Sequence, residues 1–164
     1  MMISKNMNGR LNEQIKAEFF ASHKYLGMAC SFENLGLRVL AKRFFQQSEE
    51  EREHALKIIR YVVEVGGVVE LHAIDKPPKQ YPSVEAIVAA ALDSENAVTE
   101  MINSLVTAAD SEKDYATRSF LQWFVDEQVE EVSTMTDLLA WVKMAGANLL
   151  QVELRLRQDM AEQK

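Results

Sequence analysis

The sequence predicts an all-α protein: an elongated four-helix bundle with a long crossover between helices two and three and a short fifth helix at the C-terminus. Three observations carry this. Apolar residues recur at alternating steps of three and four through four long segments, the period that lays one stripe along a helix facing helical neighbours. Only six glycines and three prolines occur in 164 residues, and most of them fall between the striped segments. With 48% hydrophobic and 26% charged residues, the chain also differs in composition from disordered and low-complexity sequences.

In the first helix the stripe runs Leu11, Ile15, Glu18, Ser22, Tyr25, Ala29, Phe32, and Gly36 punctuates the join to the second. There it runs Leu37, Leu40, Phe44, Gln47, Glu51, His54, Ile58, Tyr61, Val65. Gly66, Gly67, Pro77, Pro78 and Pro82 break the period over 66–83, too long a stretch for a tight turn. At ~3.3 Å per extended residue it can run the length of a helix of about 40 Å, so the third helix starts at the far end, parallel to the second. Ser83 is placed to cap that helix, with Glu85 in its first turn.

The third stripe runs Val84, Val88, Ala91, Glu95, Val98, Ile102, Leu105, Ala109; Asp110 to Asp114 are read as the next turn. The fourth runs Leu121, Phe124, Gln128, Glu131, Met135, Leu138, Val142. Gly146 and Asn148 then stop and restart the chain for a short helix over about 148–160. Its leucines exceed what one bundle can cover, and the expectation is that it packs against other subunits. The whole reads as one domain over 1–164, with the bundle over about 5–145.

Eighteen Lys and Arg against twenty-five Asp and Glu leave a net charge of −7, the wrong sign for holding nucleic acid or an anionic membrane by bulk charge. Cations are the more natural ligands. The single cysteine, Cys30, allows no internal disulfide and no sulfur-rich zinc site, and is read as a small core residue. No apolar run is long enough to span a bilayer, and a cytoplasmic location is expected.

What interrupts the stripes carries the chemistry. Each long helix has an acidic residue in its seam near the midpoint: Glu18, Glu51, Glu95 and Glu131, with His54 and Gln128 one turn from two of them. Helix geometry puts Glu51 with His54, and Gln128 with Glu131, on one face. Midpoints of equal rods meet at one level, so the six side chains should converge. Four ionised carboxylates buried together repel one another and lose hydration unless something compensates, and no Lys or Arg stands in the seams. Two divalent cations would balance four such charges, and oxygen-rich ligation with a single histidine favours iron or manganese.

The segments 11–18 (LNEQIKAE), 49–55 (EEEREHA) and 120–131 (FLQWFVDEQVEE) resemble the bacterial non-haem ferritins, and the likeness extends over essentially the whole chain. Bundles of that kind are known to line their cores with such carboxylates. The resemblance implies that Glu18, Glu51 and His54 hold a first iron. Glu51, Glu95 and Glu131 would hold a second, with Glu51 bridging and Gln128 beside the dioxygen or water site. It further implies a weaker third site from Glu50, Glu127, Glu130 and Glu131, and raises Tyr25 and Trp123 as nearby electron donors; by residue type alone Tyr25 reads equally as a core aromatic and Trp123 first as packing. The function implied is oxidation of Fe²⁺ by O₂ or H₂O₂ and storage of ferric mineral inside a homo-oligomeric shell of twenty-four subunits.

Two departures separate close relatives. The fourth helix carries Gln128-x-x-Glu131 where symmetric dimetal bundles repeat Glu-x-x-His, and Arg52 stands where bacterioferritins have a haem-ligating Met, so no haem is expected. A rubrerythrin-like dimetal peroxidase that stores nothing, and a metal-free helical scaffold, are the competing classes; the first lacks its Cys-x-x-Cys iron domain here. Asp110, Glu112 and Asp114 are read first as a solvated turn and second as the lining of a cation pore. His23 and His72 are read as a surface and a loop histidine.

Overall fold

A computed structural model describes residues 3–162. Its five helices are α1 (Lys5–Asn34), α2 (Arg38–Glu64), α3 (Val84–Glu112), α4 (Tyr115–Ala145) and α5 (Leu149–Glu162). Three residues join α1 to α2 and two join α3 to α4, so each pair is an antiparallel hairpin. Gly36 takes φ 76° in the first of these turns, a left-handed conformation that suits glycine. The hairpins pack with α1 against α3, and α5 lies across α4 and α2.

The core is in two parts. One apolar cluster joins Phe32 of α1, Leu40 and Phe44 of α2, Val84 and Val88 of α3, and Leu138 and Val142 of α4. The other joins Met7 and Leu11 of α1, Ile58 and Val62 of α2, Ile102 and Leu105 of α3, and Leu121 and Phe124 of α4. Thus α2 and α3 both run from the first cluster to the second, while α1 and α4 run the other way. The parallel pair is what the crossover over Val65–Ser83 makes possible.

That crossover is tied to α1 through two asparagine side chains. Asn8 Oδ1 accepts from Val68 N at 2.9 Å, Asn12 Nδ2 donates to Val68 O at 2.9 Å, and Asn12 Oδ1 accepts from Glu70 N at 2.8 Å. A β-carbon on Gly67 would lie 2.4 Å from Asn8 Oδ1, so the close approach needs glycine there. Ser83 Oγ accepts from Ala86 N at 3.0 Å, the expected cap, with Glu85 in the first turn of α3.

Two expectations are corrected. Cys30 is exposed, because it sits one residue past the buried Met28 and Ala29, and a 100° step carries it off the stripe. The turn before α4 is shorter than Asp110–Asp114: α3 continues to Glu112, whose carboxylate accepts from Ser4 Oγ at 2.5 Å and Asn6 Nδ2 at 2.7 Å. Lys113 then stops the helix at φ 55°, and Asp114 caps α4 through Thr117 N. Asp110 lies 3.5 Å from Arg118, so all three acids of that corner have partners within the chain. The fifth helix, α5, buries Val152 and Leu156 against its own bundle and leaves Leu150 and Leu154 exposed.

A further link to α5 was not expected. Leu37 stands where α2 would need a capping side chain, and none is made locally. Glu153 supplies it instead, accepting from Val39 N and Leu40 N at 2.9 Å each.

Candidate metal centre

Between the two apolar clusters lies a polar layer drawn from all four long helices. Glu18 is fully buried, Glu51 and Glu95 are each 1% exposed, and Gln128, His54 and Glu131 are no more than 5% exposed. Each occupies a stripe position near mid-helix, where the same burial that serves leucine elsewhere forces a polar group inside.

The acceptors meet few donors. His54 Nδ1 lies 3.3 Å from Glu51 Oε2 and 3.9 Å from Glu18 Oε2, while its Nε2 is 3.9 Å from Glu127 Oε1. Tyr25 donates its hydroxyl proton to Glu95, and Gln128 Nε2 reaches Glu95 Oε2 at 3.3 Å and Thr99 Oγ1 at 3.1 Å. Among the described residues no Lys or Arg pairs with Glu18, Glu51, Glu95 or Glu131.

The electrostatic consequences follow from burial. Burial, then the charge of Glu51, pushes Glu131 up to about 9. The same causes raise Glu95 to about 7, against the hydrogen bonds from Tyr25 and Gln128. Burial and Glu51 also hold Glu18 well above the usual carboxylate range. At His54, burial works downward, but the hydrogen bond and charge of Glu51, with Glu127 and Glu95 behind them, raise the imidazole overall. Burial and Glu95 raise Tyr25 well above the ordinary phenol value, so its hydroxyl keeps its proton. Without cations, the layer therefore retains protons that exposed carboxylates would have lost.

Ligand atoms gather into three sets, each within 4.8 Å: Glu18, Glu51 and His54; Glu51, Glu95 and Glu131; and His54, Glu127 and Glu131. Glu18 Oε2, which faces His54, is buried with no hydrogen-bond partner. An orphaned buried carboxylate oxygen, no cationic side chain and an oxygen-rich donor set with one imidazole together fit iron or manganese. Glu51 belongs to both of the first two sets.

The remaining sequence-predicted residues lie further out. Glu127 is part-buried and close to the layer, but Glu50 and Glu130 are exposed and join none of the three sets; Glu50 lies 3.5 Å from Arg43. Burial, then the neighbouring Glu130 and Glu50, raises Glu127 in spite of His54. Trp123 meets the His54 ring edge-on at 5.4 Å and carries the Lys57 ammonium 4.1 Å from its ring centre. A cleft of about 1270 Å³ between α2 and α5 is lined by none of the six layer residues, though Glu50 borders it.

Gln14 and Gln47 were not foreseen as site residues, yet both are buried and both donate to its carboxylates. A signal was present: each stands four residues before a seam glutamate.

Comparison with known proteins agrees with this architecture. The family model of the ferritin-like domain matches residues 8–145. The bacterial non-haem ferritin of Staphylococcus aureus is 40% identical over 145 residues, 88% of this chain and 87% of that one. Ferritin BfrB of Mycolicibacterium smegmatis is 38% identical over 151 residues, 92% of this chain and 83% of that one. The open-pore ferritin of the archaeon Archaeoglobus fulgidus superposes with a TM-score of 0.92 at 38% identity, covering 94% of this chain and 96% of that one. With four carboxylates and an imidazole gathered at the middle of the bundle that these relatives share, the chain belongs to the ferritin family.

Proposed function

We propose that this protein is an iron-storage ferritin whose single domain, residues 1–164, oxidises Fe²⁺ to Fe³⁺ and passes it to a ferric mineral inside a shell of twenty-four copies. One observation carries the reading: four carboxylates from four helices and one imidazole, buried at a common level with no cationic partner. The names of the relatives support iron as the metal.

Iron is the substrate. Glu18, Glu51 and His54 receive one Fe²⁺, and Glu51, Glu95 and Glu131 a second, with Glu51 common to both. Two Fe²⁺ ions supply two electrons, which with two protons reduce O₂ to H₂O₂, or H₂O₂ to two waters. The chain contributes geometry and charge: anionic ligands stabilise the ferric product more than the ferrous substrate, and binding displaces the protons held by Glu95 and Glu131. Gln128 donates beside the second site. Tyr25, hydrogen-bonded to Glu95, would supply a further electron where O₂ is reduced beyond the two electrons of the irons, its proton passing to that carboxylate. Glu127, with Glu50 and Glu130, forms the outward step toward the mineral. No haem is required, and the working location is the cytoplasm.

Anaerobic Fe²⁺ titration of the metal-free protein tests this, followed by O₂ addition and gel filtration. Two tight equivalents per chain, and ferric iron that co-elutes with the shell, are expected; a third equivalent would add the outward site. Absence of binding refutes the proposal.

A further inference from the structure

Gln47 is fully buried and Gln14 is 1% exposed. Each precedes a seam glutamate by one helical turn, Gln14 before Glu18 and Gln47 before Glu51. Because α1 and α2 are antiparallel, a turn toward the N-terminus points in opposite directions on the two helices. The two amides therefore close the polar layer from opposite ends.

Their hydrogen bonds divide along the two main ligand sets. Gln14 Nε2 donates to Glu18 Oε1 at 2.8 Å, and Glu18 belongs to the first set alone. Gln47 Nε2 donates to Glu51 Oε1 at 2.9 Å and to Glu131 Oε2 at 2.7 Å, spanning two carboxylates of the second set on different helices. The other oxygen of Glu51, Oε2, faces His54. The shared glutamate is thus held from one flank and aimed at the imidazole from the other.

Both glutamines keep a carbonyl oxygen buried without a partner. A side chain that merely knitted helices together would satisfy that oxygen, since an unpaired buried acceptor is destabilising. Here the amide is turned so that its N–H groups meet carboxylates, and the carbonyl goes without.

We propose that Gln14 and Gln47 are positioning residues with separate charges: Gln14 orients Glu18 for the first iron, and Gln47 holds Glu51 and Glu131 at the spacing of the second. The proposal rests on the dimetal reading above. Each donated bond leaves lone pairs for a cation while fixing the carboxylate in its rotamer, and loss of such outer partners lowers metal affinity about 10–100-fold.

The variants Gln14→Met and Gln47→Met keep length and apolar volume and remove the donor. The full-length metal-free proteins are titrated anaerobically with Co²⁺, followed by calorimetry and by the visible absorption of Co²⁺, which differs between a site with an imidazole and one with carboxylates alone. Wild type is expected to take two equivalents. Gln47→Met should weaken the all-carboxylate site about 10–100-fold and the imidazole site, which shares Glu51, distinctly less; Gln14→Met should weaken the imidazole site and spare the all-carboxylate one. Equal weakening of both sites by either variant, or no weakening, overturns the proposal. Should a methionine variant lose helical circular dichroism, Gln14→Leu and Gln47→Leu repeat the comparison. A wild-type protein that binds no Co²⁺ and no Fe²⁺ instead removes the dimetal reading itself.

Discussion

The apolar ends of the bundle and the polar layer between them come from the same four helices and the same stripe, yet they follow opposite rules. At the ends, Phe32 and Phe44 meet edge-on with ring centres 4.8 Å apart, and nothing but shape is needed for stability. In the middle, the stripe continues with Glu18, Glu51, Glu95 and Glu131, whose burial is unfavourable until cations enter. The ends hold the helices in register; the middle spends that stability on a site. The difference teaches that a position's burial and its residue type can be set by different demands.

The largest expected effect lies at an end. Phe44→Ala should cost about 3–5 kcal/mol of stability in urea unfolding while leaving two Co²⁺ equivalents per chain. A variant that also lost the cations would show that end packing, not the layer itself, sets ligand positions. Next, Glu51→Ala should weaken Co²⁺ binding by at least about 100-fold, about 2.7 kcal/mol, and remove rapid Fe²⁺ oxidation. Its metal-free form should be no less stable than wild type, and a large loss there would break the contrast between middle and ends.

Metal-free stability should also fall with rising pH. Glu131 is raised to about 9 and Glu95 to about 7 from 4.5, so above pH 4.5 the folded chain keeps protons that the unfolded chain has released. The stability they confer is complete below 4.5 and is lost as pH rises through the folded values, at up to about 1.4 kcal/mol per unit for each retained proton. Urea unfolding at pH 5, 7 and 9 in chelator measures the slope, which Glu131→Gln should flatten; a slope of opposite sign would contradict the electrostatic account. The smallest effect is expected at a helix start: Ser83→Ala should cost about 1 kcal/mol in thermal unfolding, with metal stoichiometry unchanged.

The long helices were legible because their stripes are nearly unbroken, and the six central residues because charge interrupts an apolar pattern at four matched heights. Gln47 stood in the stripe without drawing attention, since an uncharged amide among buried residues raises no demand for a counter-ion. Gln14 lies one residue off the stripe, next to Ile15, and only the packed helices show that both face inward. The capping of α2 by Glu153 joins residues more than a hundred positions apart and leaves one trace in the sequence, a helix that begins at Leu37 with no capping side chain. The exposure of Cys30 turned on a single angular step, finer than a stripe written by eye.

The division into two hairpins gives the paired sites unequal mechanical meaning. Glu18, Glu51 and His54 all come from α1 and α2, whereas Glu51, Glu95 and Glu131 come from both hairpins. A cation in the first position is clasped within one folded half. One in the second staples the halves to each other across the long connection between α2 and α3, so its arrival should stiffen the whole subunit and its departure should loosen the seam.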